Sequence, residues 1–231
     1  HKSIKEIRMK LKFGTFSIFF TEKCYGDMSR KSLDNRQHFL KQNSIKTFQN
    51  PHQVHGDKIL DFNHSPLSKE ADAIISSDSN IFTGVLTADC LPILFFDESS
   101  GLHGAIHAGR KSTFLGITEK VLKYLSEKYN VDSKNLHFVL GPHNKVCCYE
   151  IGQDILPELE ESPFFSQDFL EKREEKLYLD IEKANIFQLT KNGIRNEQII
   201  IYDECTFCSE NFFSYRKGDK DERFLSMIGR F

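Results

Sequence analysis

Short apolar runs, each closed by Gly, Pro, Asp, Asn or Ser, recur along this chain and restrict its fold more than any other feature. Ala71–Ser76, Ile81–Thr87, Ile93–Phe96, Leu136–Leu140 and Ile199–Tyr202 are four to seven residues long. That is strand length, and consecutive apolar positions mark strands covered on both faces. Phe13–Phe20, Lys58–Phe62 and the glycine-interrupted Gly101–His107 extend the series. Helical periodicity is confined to three places. Leu33–Gln42 follows Ser32 as a cap, and Phe114–Tyr129 puts Phe114, Ile117, Val121, Leu122 and Leu125 on one face behind Ser112 or Thr113. Ile181–Asn192 ends at Gly193. The prediction is one α+β domain over residues 1–231, rich in mixed sheet, without internal repeat or linker.

Charge and cysteine usage bound the setting. The formal net charge is −2 with both signs interspersed, so there is no electrostatic case for nucleic acid or a membrane surface. No apolar run approaches the roughly 20 residues that span a bilayer. His1–Lys12 alternates charged and apolar residues, lacks the apolar region of a signal peptide and is expected to form a first strand. Cys24, Cys90, Cys147, Cys148, Cys205 and Cys208 make a poor disulfide framework at this length, and a reducing cytoplasm is the expected compartment.

The chemistry centres on Cys90 in Thr87-Ala88-Asp89-Cys90-Leu91-Pro92. Pro92 interrupts the apolar pattern, which places Cys90 in a tight bend between two strands. His55, in Gln53-Val54-His55-Gly56, and His107, in His107-Ala108-Gly109, stand in similar breaks beside strand-like runs. If the three converge, one thiolate and two imidazoles would hold zinc with a fourth position for water or substrate. Two alternatives share the residues. One is a metal-free pair in which an imidazole activates the thiol as nucleophile. The other is a small buried cysteine with two hydrogen-bonded histidines. A multi-copper centre fails on ligand count, because none of the nine histidines forms a His-x-His segment.

Two further groupings stand apart. Cys205-x-x-Cys208 with Cys147-Cys148 could supply four thiolates, but the adjacent pair is a poor tetrahedral chelator, and buried or non-ligating cysteines are expected. Arg36, Arg110-Lys111 and Arg216-Lys217 are candidate anion partners, with solvated surface cations as the alternative.

As an ordered set, these motifs resemble one family. Gln53-Val54-His55-Gly56, Ala71-Asp72-Ala73, Thr87 to Pro92, His107-Ala108-Gly109, Cys148-Tyr149-Glu150-Ile151-Gly152, Cys205-Thr206 and Phe212 to Arg216 follow its order and approximate spacing. The family is the laccase-domain family, also called the polyphenol oxidoreductase or peptidoglycan editing factor family, whose members include purine nucleoside phosphorylases. The resemblance spans nearly the whole chain and implies a layered α/β/β/α domain with catalytic zinc on His55, Cys90 and His107, copper being the less favoured ion. It implies phosphorolysis of adenosine, inosine or methylthioadenosine and deamination of adenosine, with nucleoside and phosphate as partners and neither nucleic acid nor membrane. Arg36, Gln53, Lys111 and Arg216 are the expected substrate-binding residues. The oligomeric state stays open.

The alternatives are a hydrolase that removes misincorporated amino acids from peptidoglycan precursors, and an inactive scaffold. The chain departs from the family pattern at three places. Arg110-Lys111-Ser112 stands for Trp-Arg-Gly, His143-Asn144-Lys145 follows Gly141-Pro142 where the family has a Gly-Pro-x-Ile-Gly turn, and Asp221-Glu222-Arg223 stands for Thr-Gly-Arg.

Overall fold

The computed structural model describes residues 10–64 and 70–231. Of the first-strand expectation over His1–Lys12, all but the last three residues lies outside the described residues. In chain order the first half holds β1 (Lys10–Phe13), β2 (Phe16–Phe20), α1 (Leu33–Gln42), β3 (Thr47–Gln49), β4 (Ile59–Asp61), β5 (Ala73–Ser76), β6 (Ile81–Thr87), β7 (Leu91–Asp97) and β8 (His103–Ala108). The second half holds α2 (Arg110–Phe114), α3 (Ile117–Tyr129), β9 (Leu136–Leu140), β10 (Glu150–Ile151), α4 (Leu156–Glu160), β11 (Leu170–Arg173), β12 (Lys176–Leu179), α5 (Ile181–Lys191), β13 (Ile199–Ile201) and β14 (Phe224–Arg230).

Two sheets form the centre. One has the order β1-β2-β14-β6-β3 and the other β13-β9-β7-β8-β5-β4, both with parallel and antiparallel pairs. Alternate side chains of each strand face opposite ways, and every one of those faces is covered. Ile74, Leu94, Phe96, Ala105 and Val139 of the six-stranded sheet meet Phe16, Ile18, Phe20, Val85 and Ile228 of the other sheet. Their neighbours Ile75, Ile93, Phe95, Ile106 and Phe138 turn outward onto Ile117, Val121 and Leu125 of α3 and Ile181 and Leu189 of α5. Behind the five-stranded sheet, Phe19, Phe82 and Met227 pack on Phe39 of α1. The result is helix, sheet, sheet, helix, and it explains why the strands read as continuous apolar runs. No helix among the described residues is long and apolar enough to cross a membrane.

Several expectations need correction. The predicted strand Phe13–Phe20 is a hairpin, turned at Gly14 with φ +53°. The predicted helix Phe114–Tyr129 is two helices broken at Gly116, whose φ of +77° no helix accommodates. Ser112 and Thr113 are therefore buried inside α2 and do not cap a longer helix. Pro92 does not interrupt a strand but is the second residue of β7; its carbonyl accepts from Gly141 N at 2.8 Å, and ladder pairing to β9 begins at Ile93.

One connection matters most for the site. β6 belongs to the five-stranded sheet and β7 to the six-stranded one, so Ala88-Asp89-Cys90 crosses from sheet to sheet. His107 lies directly opposite Pro92 on β8.

Candidate active site

His55, Cys90 and His107 converge. One ligand atom from each lies within 4.8 Å of the other two. Cys90 Sγ is 3.9 Å from His55 Nε2, and the imidazoles meet edge to face with centroids 4.8 Å apart. His107 is buried on β8, while His55 is presented from an exposed loop in a left-handed conformation, φ +59°.

Asp72, at the entrance to β5, holds both histidines in place. Fully buried, it accepts His107 Nδ1 at 2.7 Å and the backbone N–H groups of Val54, His55 and Gly56 at 3.2, 3.0 and 2.7 Å. Proton donation from Nδ1 leaves His107 Nε2 as a free donor atom, the carboxylate–histidine arrangement that supports metal ligands. Asp72 also keeps His55 in a conformation that costs a non-glycine residue of order 1–3 kcal/mol.

The donor set fits a metal. Cys90, His55 and His107 form a small concave set whose space is kept by Gly109. A β-carbon on Gly109 would lie 3.1 Å from Cys90 Sγ and 3.2 Å from His55 Cδ2. Only glycine leaves that cradle open.

Electrostatics agree with a thiolate ligand. Burial alone would push the Cys90 thiol up, but the His107 imidazole, helped by His55, brings it down to about 6. In the same pairing His107 rises to about 9 against its own burial, through Cys90 and then Asp72. We expect alkylation of Cys90 in metal-stripped protein to reach half its maximal rate near pH 6, because only the thiolate reacts and it is lost as pH falls through that value. Zinc should suppress the reaction. Peptide mass spectrometry after iodoacetamide treatment across pH 4–10 checks this; a rate that rises only near pH 9 would refute the pairing.

The three residues open into a cavity of ≈ 870 Å³ with cations on its walls: Arg30, Lys31, Arg110, Arg216, Lys220 and Arg223. Asp89 stands beside Cys90 with φ +86° and is tied on all its oxygens. Its carboxylate accepts Thr206 Oγ1 and Arg216 N, each at 2.7 Å, and its carbonyl accepts Asn144 N at 2.9 Å. Half-buried Tyr149 also lines this space. Burial and the nearby Cys90 raise its pKa, so it remains a proton donor.

The expected substrate residues separate. Arg216 and Gln53 line the cavity. Both ends of the Gln53 carboxamide are bound to Leu86, donating to its carbonyl at 2.7 Å and accepting its N–H at 2.8 Å, so Gln53 fixes the loop against β6. Lys111 lines a second, smaller cavity with Phe114 and Glu158, and Arg110 lines both. Arg36 on α1 lies outside the cavity lining, within electrostatic reach of Arg30.

Comparison with known proteins identifies the family. The family model described as multi-copper polyphenol oxidoreductase laccase matches residues 14–230. The chain belongs to this family. A purine nucleoside phosphorylase from Clostridium acetobutylicum is 34% identical over 179 residues, 76% of this chain and 74% of that one. A purine nucleoside phosphorylase from Aquifex aeolicus is 36% identical over 181 residues, covering 77% and 80%, and one from Borreliella burgdorferi is 32% identical over 208, covering 87% and 86%. Among solved structures, YlmD from Geobacillus stearothermophilus superimposes with a TM-score of 0.83 at 23% identity over 94% of this chain and 93% of its own, which bears out the layered fold.

Sequence reasoning missed Asp72 as the common support of the two histidines, and missed Arg30, Lys31 and Arg223 as cavity cations. For Asp72 a signal existed, a carboxylate between two alanines at the start of an apolar run. For the cations none did. Arg30 and Arg223 come together only because Met28 N donates to Arg223 O at 2.8 Å and Arg223 N to Asp27 Oδ1 at 2.9 Å, across nearly the whole chain.

Proposed function

We propose that this protein is a zinc-dependent purine nucleoside phosphorylase that also deaminates adenosine. The observation that carries the proposal is a thiol and two imidazoles at the base of a nucleoside-sized cavity with cationic walls. His55, Cys90 and His107 would hold the metal, whose chemistry here is Lewis-acid polarisation of substrate or water. Three protein ligands of mixed nitrogen and sulfur suit catalytic zinc. A multi-copper centre needs more imidazoles than this. Among the described residues only two groups of three or more potential ligands converge, and the second is all cysteine.

In phosphorolysis, an oxygen of phosphate bonds to the anomeric carbon as the glycosidic C–N bond breaks. The bonding pair leaves with the purine, which takes up a proton. Arg30, Lys31, Arg110 and Arg216 line the cavity and would neutralise phosphate there, whereas Arg36 and Lys111 do not line it. Tyr149 and Asn144 offer neutral hydrogen bonds to base or sugar. Deamination requires water to add at C6 of adenine with loss of ammonia, at the end of the cavity where Cys90 lies.

The test is incubation of zinc-loaded protein with adenosine, inosine or methylthioadenosine, with and without phosphate. We expect free base and ribose 1-phosphate (or its 5-methylthio analogue) only when phosphate is present, and inosine from adenosine in either case. Base release that ignores phosphate would indicate a hydrolase. No release from any of the three would refute the proposal, and consumption of a muropeptide precursor instead would favour peptidoglycan editing.

A further inference from the structure

The four cysteines expected to be buried or non-ligating lie together, and of them only Cys205 is buried. Cys147, Cys148, Cys205 and Cys208 bring all four Sγ atoms within 4.8 Å of one another, with Cys148–Cys208 at 3.2 Å and Cys147–Cys208 at 4.0 Å. A tetrahedral zinc with Zn–S bonds of about 2.3 Å requires sulfurs about 3.8 Å apart. A disulfide requires about 2.05 Å, and all four thiols are free.

The adjacent pair can converge because it lies in a turn. Cys148 N and Tyr149 N both donate to Lys145 O at 2.9 Å. In a strand, neighbouring side chains would point to opposite faces; in this turn both thiols reach one point. The second pair is a Cys-x-x-Cys turn in which Ser209 N donates to Cys205 O at 2.9 Å. Backbone N–H groups of Cys208, Lys145 and Phe207 face Cys205 Sγ. A β-bridge between His143 and Cys205, with Thr206 N donating to His143 O at 2.9 Å, sets the turns side by side. Arg173 donates to the carbonyls of Cys147 and Val146 at 3.0 and 3.3 Å, which ties the first turn to β11.

We propose that these four thiolates bind a second zinc ion, at a closed structural site distinct from the one at Cys90. Four protein ligands leave no open position, the mark of a structural site. Its work is local. The Cys147-Cys148 turn lies between Asn144 and Tyr149, and the Cys205–Cys208 turn carries Thr206. Asn144 and Thr206 both hold Asp89, and Tyr149 walls the cavity. A metal joining the turns clamps the segment that sets Cys90.

The test is metal content of the full chain, purified under reducing conditions without added metal. We expect about two zinc per chain in the parent protein and about one in Cys208→Ser and in Cys90→Ala, for opposite reasons. Cobalt-loaded Cys90→Ala should show the intense thiolate charge-transfer absorption of a four-sulfur tetrahedral site. Zinc-free Cys90→Ala would overturn the proposal, and this variant retains all four cysteines should Cys208→Ser not fold. Iron in place of zinc at this site, or a mass about 2 Da lower per bridge under non-reducing conditions, would overturn it too. Because the readout is stoichiometry, it stands or falls separately from nucleoside phosphorolysis.

Discussion

Replacing Cys90 by alanine will empty the His55–Cys90–His107 site and abolish phosphorolysis, while the protein stays folded. Cys90 is only half-buried and sits in the crossover ahead of β7, so loss of its sulfur removes little core contact. A stability change within about 1 kcal/mol is expected at such a position. Metal binding has no comparable tolerance, because two imidazoles alone lack the anionic donor of the set. Turnover should fall by at least about 10²–10³-fold, the order that removal of one electrostatic stabiliser costs. Metal analysis, thermal unfolding and phosphate-dependent base release on the same preparation check all three statements. Full turnover in a metal-free variant would remove zinc from the mechanism.

Asp72→Ala is expected to be the more damaging change. Four donors converge on this one buried carboxylate, and alanine leaves them all unpaired. Each buried donor left without a partner costs about 1–3 kcal/mol, moderated where water enters. Breaking a buried charged pair typically costs about 3–5 kcal/mol, and we expect a loss of that size. Zinc affinity at the Cys90 site should also fall by about 10–100-fold, as for loss of other carboxylates that orient ligating histidines. The pH dependence has a definite sign. Burial would raise the Asp72 carboxyl, but the His107 hydrogen bond and the backbone donors hold it below 3.8. Its contribution is therefore complete above about pH 4 and fades as pH falls further. Urea unfolding at pH 7 and at about pH 3, parent against variant, measures the deficit and its fade; a difference below about 1 kcal/mol at pH 7 would show that Asp72 does not hold this loop.

What could be read from the sequence divides along physical lines. Helix α1 (Leu33–Gln42) and helix α5 with its glycine stop were legible because local periodicity suffices for them, although Ser32 does not cap α1 as expected: its hydroxyl donates to Asp27 Oδ2. The break at Gly116 was not, since the apolar face continues across it from Phe114 to Ile117. Strand β14 was missed because Ser226 and Gly229 dilute its apolar character. Its place between β2 and β6 is supplied by partners some 140 and 210 residues away. At the site, spacing alone did not show that His55, Cys90 and His107 converge, and the ordered set of motifs singled them out. The cavity cations that escaped, Arg30, Lys31, Lys220 and Arg223, were hidden for the same reason as β14: they come together from both ends of the chain.

The crossover at Ala88–Cys90 carries a consequence for how this protein can vary. Its Cys90 end is locked to the strand of His107, since Leu91 pairs with Ala108 and Pro92 with His107, whereas the Gln53 carboxamide ties the His55 loop to Leu86 in the other sheet. The place of His55 against the other two side chains thus depends in part on the spacing between the sheets. Substitutions that swell or thin the layer of Phe16, Phe20, Leu94 and Phe96 shift that imidazole without touching it. Tuning of the site is therefore open to residues buried far from substrate, in the middle of the core.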